Sequence, residues 1–306
     1  MPLFLSSGDV LADRRFDFAR ELLARGEAAA AAELLLQAVE LAPHFASAWF
    51  ALGEIRADRL DDRAGAIDAW RRARAADPAD RHGAGLRLMR LGALELGAMT
   101  PAYVTSLFDQ YAPRFEAALL GELGYRGPEL LRDAVLDVCG AGRPPRFGQV
   151  IDLGCGTGLV GRLFRPLAAA LVGIDLSAQM LAQARRCGAY ARLVRADLVE
   201  GLAAESPAGA DLVLAADVLI YIRDAAPLLC EAARVLKPGG LLAVTAETHA
   251  GDGVALTEGL RFAQSEAYLR DELQRAGLEV ALLQHASART EHQAPLPGLV
   301  VVATRP

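Results

Sequence analysis

The chain is poor in the residues that mark several common classes of protein. Among 306 residues there are four cysteines and five histidines. The cysteines lie at 139, 155, 187 and 230, with no C-x-x-C pair and no histidine at ligand spacing, so no metal site is predicted. Lys237 is the only lysine and the net charge is −6, which argues against nonspecific binding to nucleic acid or an anionic membrane.

Long apolar runs are also missing. No stretch approaches 18 uninterrupted apolar residues, and the first residues lack the basic start of a secretion signal, so we expect a cytoplasmic protein without a membrane span. Hydrophobic residues nevertheless make up 53% of the chain and charged residues 23%, which is typical of a folded protein. At this length the chain can hold two domains.

A glycine-rich stretch near the middle organises the second half of the chain. Residues 150–153 predict a short buried strand, Gly154, Gly156 and Gly158 follow at alternate positions, and helical spacing of apolar residues begins at Leu159. Glycine lets a backbone turn sharply and approach a ligand closely. A strand, a glycine turn and a helix in this order usually hold a nucleotide-like ligand at the carboxyl end of the strand.

Acidic residues end the next apolar runs. Asp175 follows residues 170–174 and lies 21 positions beyond Gly154, a spacing at which a carboxylate commonly accepts hydrogen bonds from ribose hydroxyls. Asp197 ends a further run over residues 191–196. Solvated carboxylates at strand ends are the alternative interpretation of both aspartates.

Two more apolar runs, residues 211–217 and 241–245, complete an order that resembles the class I S-adenosylmethionine-dependent methyltransferases over roughly residues 105–306. The resemblance implies an α/β Rossmann-like domain with a mostly parallel seven-stranded sheet, whose last strand is antiparallel, and S-adenosylmethionine as cofactor. A nicotinamide-dependent dehydrogenase is the main alternative fold. Its G-x-G-x-x-G fingerprint would need a glycine where Leu159 stands.

The same resemblance implies roles for individual residues. Asp152 matches the family's acidic residue two positions before the first glycine and would fix the amino-acid end of the cofactor. Asp175 would hold the ribose beside Leu176, and Asp197, with the Leu198 backbone, would bind the adenine amino group. The full set of predicted cofactor-binding residues is Tyr111, Asp152, Gly154, Cys155, Gly156, Gly158, Asp175, Leu176, Met180, Asp197, Leu198 and Ala216.

A segment ahead of the first strand, residues 108–115, resembles one that closes over the cofactor in many small-molecule methyltransferases. Thr100 and Pro101 are suited to begin a helix there, and Pro113 should break or kink it, so that Tyr111 lies at a bend. Ordinary core packing of these aromatic residues is the competing interpretation.

The methyl acceptor is less well defined by the sequence. After the fourth run there is no Asn/Asp-Pro-Pro-Tyr sequence of the kind used on amide or exocyclic amino nitrogens. Tyr221, Glu247 and His249 follow the fourth and fifth runs and are the candidate catalytic residues. Histidine can remove a proton near neutral pH, although a surface loop histidine is the simpler alternative. We expect transfer to oxygen or nitrogen of a small molecule; a protein acceptor, or a cofactor-binding scaffold without turnover, remains open.

Residues 15–80 contain an internal repeat of about 34 residues. Its pattern includes Trp49, followed after two residues by Leu52 and Gly53. Period and pattern resemble tetratricopeptide repeats, as in bacterial methyltransferases that carry such repeats. We therefore expect a small all-α domain over residues 1–99, with a capping helix over 81–97, and a methyltransferase domain with lid helices over 100–306. The repeats could dock a protein partner, dimerise or act on the lid.

Overall fold

The computed structural model describes residues 3–140, 142, 144–291 and 293–306. The chain forms two compact units, Met1–Gln110 and Tyr111–Pro306. The helix that begins at Pro101 therefore falls almost wholly in the first unit, whereas the sequence analysis assigned it to the second domain.

The first unit is built from helices, and the first five of them pack in chain order, each on the next. A Cβ atom at Gly53 would lie only 2.4 Å from Nε1 of Trp70, so the helices of the second hairpin approach so closely that only glycine fits. The helices are α1 (Val10–Ala24), α2 (Ala28–Leu41), α3 (Ala46–Asp58), α4 (Arg63–Ala76), α5 (Ala84–Arg90) and α6 (Pro101–Tyr111).

The predicted capping helix over residues 81–97 is wrong in its extent. The observed helix α5 covers Ala84–Arg90 only, because glycines with left-handed backbone angles flank it. Gly83 has φ +74° and Gly92 has φ +67°, values that glycine adopts readily and that interrupt a right-handed helix. The all-helical character of the first unit is confirmed, and its relation to tetratricopeptide repeats stays a prediction.

The second unit contains a mostly parallel sheet with the strand order β3-β2-β1-β4-β5-β11-β8. Strand β11 is antiparallel to both β5 and β8, so the predicted antiparallel last strand is confirmed. The strands are β1 (Phe147–Leu153), β2 (Ala168–Asp175), β3 (Arg192–Arg195), β4 (Ala210–Ala215), β5 (Leu236–Glu247), β6 (Val254–Leu256), β7 (Phe262–Gln264), β8 (Glu279–His285), β9 (Thr290–Glu291), β10 (Ala294–Pro295) and β11 (Gly298–Thr304).

The predicted number of seven strands is wrong, because the observed sheet has nine. Strands β6 and β7 form a short hairpin, and β7 continues the sheet beside the end of β5, where Glu247 pairs with Ala263. Strands β9 and β10 form a separate two-stranded ribbon. Each of the missed strands has only two or three residues, too few to show a recognisable alternation in sequence.

Helices cover both faces of the sheet and bury a core on each side. Along β1, Val150 belongs to the core on one face and Ile151 to the core on the other, which explains why neighbouring positions of the strand are both apolar. The helices are α7 (Gly127–Cys139), α8 (Leu159–Phe164), α9 (Ala178–Cys187), α10 (Leu198–Ala203), α11 (Ala226–Val235) and α12 (Glu266–Arg275).

The parallel register brings the carboxyl ends of β1, β2, β4 and β5 to one edge of the sheet. In folds of this kind, ligands bind at that edge. Within the part of the chain that the structure describes, no helix is long and apolar enough to cross a bilayer.

Candidate cofactor and acceptor site

The glycine turn after β1 has left-handed backbone angles at all three glycines. The φ values are +60° at Gly154, +53° at Gly156 and +95° at Gly158. A Cβ atom would lie 2.7 Å from Cγ2 of Val218 at the first position, and 2.7 Å from Sγ of Cys187 at the third. Backbone conformation and close packing therefore both require glycine at Gly154 and Gly158.

Asp175, the last residue of β2, holds this turn in place. Its Oδ2 atom accepts a hydrogen bond of 2.9 Å from the Gly156 N–H, and its Oδ1 atom accepts one of 2.8 Å from the Ser177 N–H at the start of α9. A carboxylate oxygen can accept more than one hydrogen bond. The carboxylate therefore orders the backbone of the glycine turn and the start of α9.

Asp152 is a buried carboxylate that receives little hydrogen bonding from the described residues. It is 1% exposed, and the Tyr190 hydroxyl donates to its Oδ2 atom at 2.6 Å. Among the described residues its Oδ1 atom has no hydrogen-bond partner. The pKa of Asp152 is raised to about 7, mainly by burial. The hydrogen bond from Tyr190 lowers this pKa, and the negative charge of Asp175 contributes to raising it.

The buried polar atoms of this region fit the amino-acid end of S-adenosylmethionine. An unpaired buried carboxylate oxygen costs about 1–3 kcal/mol or more, and an ammonium group would supply the missing donor. Thr157, in the glycine turn, also has a buried hydroxyl that finds no partner among the described residues. The turn thus offers both an acceptor for a cation and a polar group that a ligand can satisfy.

Asp197 and its neighbours lie at the end of β3, which pairs with β2 through Asp175 and Arg195. The Asp197 side chain is the N-cap of α10, where it accepts a hydrogen bond of 2.9 Å from the Val199 N–H. Leu176 and Leu198 are half-buried at the same edge of the sheet. The predicted ribose and adenine residues are therefore brought together.

Other predicted cofactor residues are less accessible. Met180 has no exposed surface, because it faces the interior from the first turn of α9. Cys155 is buried against Leu181 and Ala184, and burial raises the pKa of its thiol well above the ordinary value, so packing explains it better than reactivity. Ala216, directly after β4, is half-buried at the sheet edge.

A short aromatic segment after α6 lies on the glycine turn; we call residues 111–116 the cover. The Tyr111 and Phe115 rings meet edge to face with their centroids 5.7 Å apart. A Cβ atom at Gly156 would lie 3.8 Å from Cε1 of Phe115, which places that ring over the turn. Helix α6 ends at Tyr111 and a 3-10 turn spans Ala112–Arg114, so the predicted break at the proline is confirmed.

Two polar contacts hold the cover against the helices next to the turn. The Gln183 side chain of α9 donates to the Ala112 carbonyl oxygen, and Arg162 of α8 pairs with Glu116 at 2.9 Å. The Arg162–Glu116 pair is partly exposed, and such pairs contribute at most about 1 kcal/mol. The cover is thus attached by a few weak contacts.

A buried group of charges lies at the carboxyl ends of β4 and β5; we call it the arginine cluster. Arg289 bonds to Asp217 through one guanidinium nitrogen and to Glu247 through the other. Arg261 bonds to Glu247 at 2.7 Å and to Glu291 at 2.9 Å. The cluster alternates positive and negative groups, so each buried charge has an oppositely charged neighbour.

Asp217 occupies an unusual backbone conformation in this cluster. Its φ is +56°, which is uncommon for a residue other than glycine, and its N–H donates to Thr245 Oγ1 at 2.8 Å. Burial raises the pKa of Asp217; Arg289 lowers that pKa and Glu247 raises it, with an upward shift overall. Strained backbone of this kind is frequent at ligand sites.

The arginine cluster is also joined to the chain that follows the cover. On either side of Arg289, the Arg126 N–H donates to the Ala288 carbonyl oxygen at 2.8 Å, and the Thr290 N–H donates to that of Leu123, also at 2.8 Å. The nearby Tyr125 is buried, and burial together with the charge of Asp217 raises its pKa well above the ordinary value. The loop between β8 and β11 therefore contacts both the residues that follow the cover, through Leu123 and Arg126, and the arginine cluster, through Arg289.

The predicted catalytic residues fall into two groups. Tyr221, half-buried after β4, lies close enough to Arg289 to raise the pKa of that guanidinium, and Glu247 belongs to the arginine cluster. His249 bonds within its own loop: Nδ1 accepts from the Gly251 N–H at 3.1 Å, and Nε2 lies 3.2 Å from the Gly253 carbonyl oxygen. This arrangement favours a structural role for His249 over proton transfer.

Sequence reasoning missed Arg289 and Arg261. Neither lies in a recognisable motif, and both reach their partners only through the fold. Among residues 3–140, 142, 144–291 and 293–306, no group of three or more His, Cys, Asp or Glu side chains could hold a metal ion.

Comparison with known proteins identifies the class of the second unit. Residues 151–244 match the family model described as a methyltransferase domain. A curated relative, the malonyl-[acyl-carrier protein] O-methyltransferase of Enterobacter lignolyticus, is 36% identical over 138 residues, which are 45% of this chain and 53% of that protein. The ubiquinone biosynthesis O-methyltransferase of Xanthomonas oryzae pv. oryzae is 35% identical over 112 residues, 36% of this chain and 44% of that protein. The chain spans about half the length of these curated relatives.

A solved structure shares the fold. The 1,6-didemethyltoxoflavin-N1-methyltransferase of Burkholderia thailandensis, bound to 1,6-didemethyltoxoflavin and S-adenosylhomocysteine, superimposes with a TM-score of 0.55 at 19% identity, covering 69% of this chain and 92% of that one. The second unit therefore has the Rossmann-like fold of a methyltransferase, and residues 151–244 match a methyltransferase domain, in agreement with the prediction from the glycine turn and strand order.

Proposed function

We propose that this chain transfers the methyl group of S-adenosylmethionine to an oxygen or nitrogen atom of a small molecule. The unpartnered Oδ1 atom of Asp152, buried beside the glycine turn, is the observation that carries the cofactor assignment. The sequence relatives are named as O-methyltransferases and the structural neighbour as an N-methyltransferase, which supports both kinds of acceptor atom.

Three aspartates divide the work of holding the cofactor in this proposal. Asp152 pairs with its ammonium group, Asp175 accepts from the ribose hydroxyls, and Asp197 accepts from the adenine amino group. When bound, the cofactor supplies a methyl group already activated by a sulfonium centre. The chain has therefore no bond to polarise; it has to align the acceptor, exclude water and receive a proton where one is lost.

The acceptor site in this proposal lies between the cover and the arginine cluster. Asp217 and Tyr221 follow β4 directly and are placed to bond a hydroxyl or amine of the acceptor. Glu247 is paired with two arginines, which holds it as a structural anion rather than a base. The cover would exclude water while the acceptor is held, a function that mobile segments serve in many transferases.

An acceptor screen with methyl-labelled S-adenosylmethionine tests the proposal. A cell extract is separated into metabolite and protein fractions, and each is examined for label after incubation with the chain. We expect label in the metabolite fraction, and its loss with Asp175→Asn. Asp271→Asn, at an exposed position on α12, is the matched control and should retain turnover.

Other results would redirect the assignment. Label confined to the protein fraction would replace the small acceptor with a protein. Cofactor binding without label in either fraction, at any pH tested, would contradict methyl transfer and favour a scaffold that binds the cofactor without turnover.

A further inference from the structure

A cleft of about 430 Å³ lies in the second unit, at the edge of the sheet opposite the glycine turn. It is bounded by the starts of the parallel strands β1, β4 and β5, whose carboxyl ends form the edge that carries the turn. The end of β11 and the last residues of α7 complete its wall. Clefts of this volume hold small molecules in many proteins.

Part of the cleft wall is apolar. Phe147 at the start of β1 is 9% exposed and Leu241 of β5 is 6% exposed, so each presents a small part of its side chain to the cleft. Val138, half-buried near the end of α7, extends this wall. An apolar group of a ligand would remove this remaining surface from water, which is favourable.

A fixed ion pair forms another part of the wall. Lys237 of β5 donates to Oδ1 of Asp211 at 2.7 Å, and Oδ2 of the same carboxylate accepts from the Gln149 N–H of β1 at 2.7 Å. Burial would raise the pKa of Asp211, but the hydrogen bonds from Lys237 and Gln149 lower it overall, so the carboxylate stays ionised. The ammonium group is therefore held in place by contacts to two neighbouring strands.

The cleft wall has one more positive than negative side chain. Arg146 lies exposed just before β1, and none of the described residues pairs with its guanidinium group. Lys237 gives one of its three ammonium hydrogens to Asp211, which leaves two for another acceptor. The Lys237 side chain is 42% exposed, so these hydrogens are open to solvent. Two cations with unused donors thus lie beside an apolar wall.

The end of α7 indicates where the charged group of a ligand does not belong. Cys139 is the last residue of this helix and lines the cleft. The C-terminus of a helix carries a partial negative charge, which disfavours an anion next to it. The apolar part of a ligand therefore suits the surface near Val138 and Cys139, and an anionic group belongs at Arg146 and Lys237.

We propose that this cleft binds a small carboxylate with an apolar body. The carboxylate accepts hydrogen bonds from Arg146 and from the two unused hydrogens of Lys237, while the apolar body covers Phe147 and Leu241. A monoanion fits best, because a second negative charge would be brought close to Asp211. The proposal is independent of methyl transfer, because no predicted cofactor or catalytic residue lines the cleft.

Lys237 allows a direct test, because it is the only lysine of the chain. Protein labelled at lysine with a stable carbon isotope gives a single lysine side-chain signal in NMR spectra, which reports on this cleft. Phenylpropionate is the test ligand, and phenylpropionamide and phenylpropylamine carry neutral and positive groups on the same carbon skeleton. We expect phenylpropionate to shift the lysine signal in a saturable way, the amide to bind several-fold more weakly, and the amine to have no effect.

Variants locate the binding. Arg146→Gln should weaken phenylpropionate binding about fivefold, which is typical for the loss of one exposed ion pair. Arg71→Gln, at an exposed position on α4, is the matched control and should leave the affinity unchanged. Cys139→Trp should fill the cleft and abolish the shift, whereas Cys230→Trp, at an exposed cysteine of α11, should not. Circular dichroism should show every variant folded.

Several results would overturn the proposal. Absence of a saturable shift up to the solubility of phenylpropionate is one, and equal affinity for the carboxylate and the amide is another. Binding that persists unchanged in Arg146→Gln or in Cys139→Trp would place the ligand elsewhere. Loss of the shift on saturation with S-adenosylhomocysteine would do the same, because it would indicate competition at the glycine turn.

Discussion

The ionisation of Asp152 should control how tightly the chain binds S-adenosylhomocysteine. Its pKa is raised to about 7 in the free chain, mainly by burial, so near neutral pH a large fraction of the chain holds this carboxyl group protonated. Only the carboxylate form attracts the ammonium group of the ligand. Binding should therefore draw a proton off the site, and acid should oppose binding.

The size of this effect follows from the pKa. If the bound form stays ionised throughout, the apparent dissociation constant is inversely proportional to the fraction of free chain in which Asp152 is ionised. Lowering the pH from about 7.5 to about 5.5 then weakens binding about 25-fold, or about 2 kcal/mol. At about pH 6.5, binding should release about three-quarters of a proton.

Isothermal titration calorimetry measures both quantities, since repeating it in buffers of different ionisation enthalpy gives the number of protons released. Asp152→Asn should bind weakly, with an affinity that hardly changes over this pH range. Tyr190→Phe removes a hydrogen bond that lowers the pKa of Asp152, so the midpoint of the profile should move to higher pH. A flat wild-type profile, or an unchanged slope in Asp152→Asn, would refute the reasoning.

Four further outcomes are expected. Asp175→Ala should weaken binding of S-adenosylhomocysteine by about 1.5–3 kcal/mol for each lost charge-assisted hydrogen bond, and unchanged affinity in calorimetry would exclude the ribose assignment. Arg289→Met should lower the free energy of unfolding by about 3–5 kcal/mol in urea titrations, because it removes the cation that pairs with the buried Asp217 and leaves Glu247 with Arg261 alone. Hydrogen exchange across residues 111–126 should slow when S-adenosylhomocysteine binds; equally slow exchange with and without it would make the cover a rigid part of the core. The folded pKa of His82, about 4, lies below its ordinary 6.5 because of burial, so stability is full above pH 6.5 and falls by at most about 3 kcal/mol as the pH drops to about 4. Unfolding at several pH values should show this loss, and His82→Asn should reduce it.

Features fixed by local chemistry could be predicted from the sequence. The bounds of α9 are an example, because Ser177 caps its first turn and Gly188 ends it with a left-handed conformation. The three glycines of the turn are likewise explained by their own backbone angles. In each case the determining interaction lies within a few residues of the position concerned.

Features that depend on the tertiary fold could not be predicted in the same way. Arg289 meets Asp217 across 72 positions of sequence and Glu247 across 42, and nothing near it in the chain indicates these partners. Met180, one of the predicted cofactor-binding residues, has no exposed surface, which the sequence around it does not indicate. His249 has a plausible position after β5, but its loop folds back and engages both ring nitrogens.

Two buried carboxylates at the same edge of the sheet are compensated in different ways. Asp217 has Arg289 as a partner, and the second arginine of the cluster neutralises the neighbouring Glu247. Asp152 receives one neutral hydroxyl, and no described residue donates to its other oxygen. A buried anion without a cation destabilises the free chain, whereas a buried ion pair is close to neutral. The arginine cluster is therefore neutralised by its own residues, whereas the charge beside the glycine turn is left for a cationic ligand to neutralise, which is why the affinity for that ligand should depend on the protonation of Asp152.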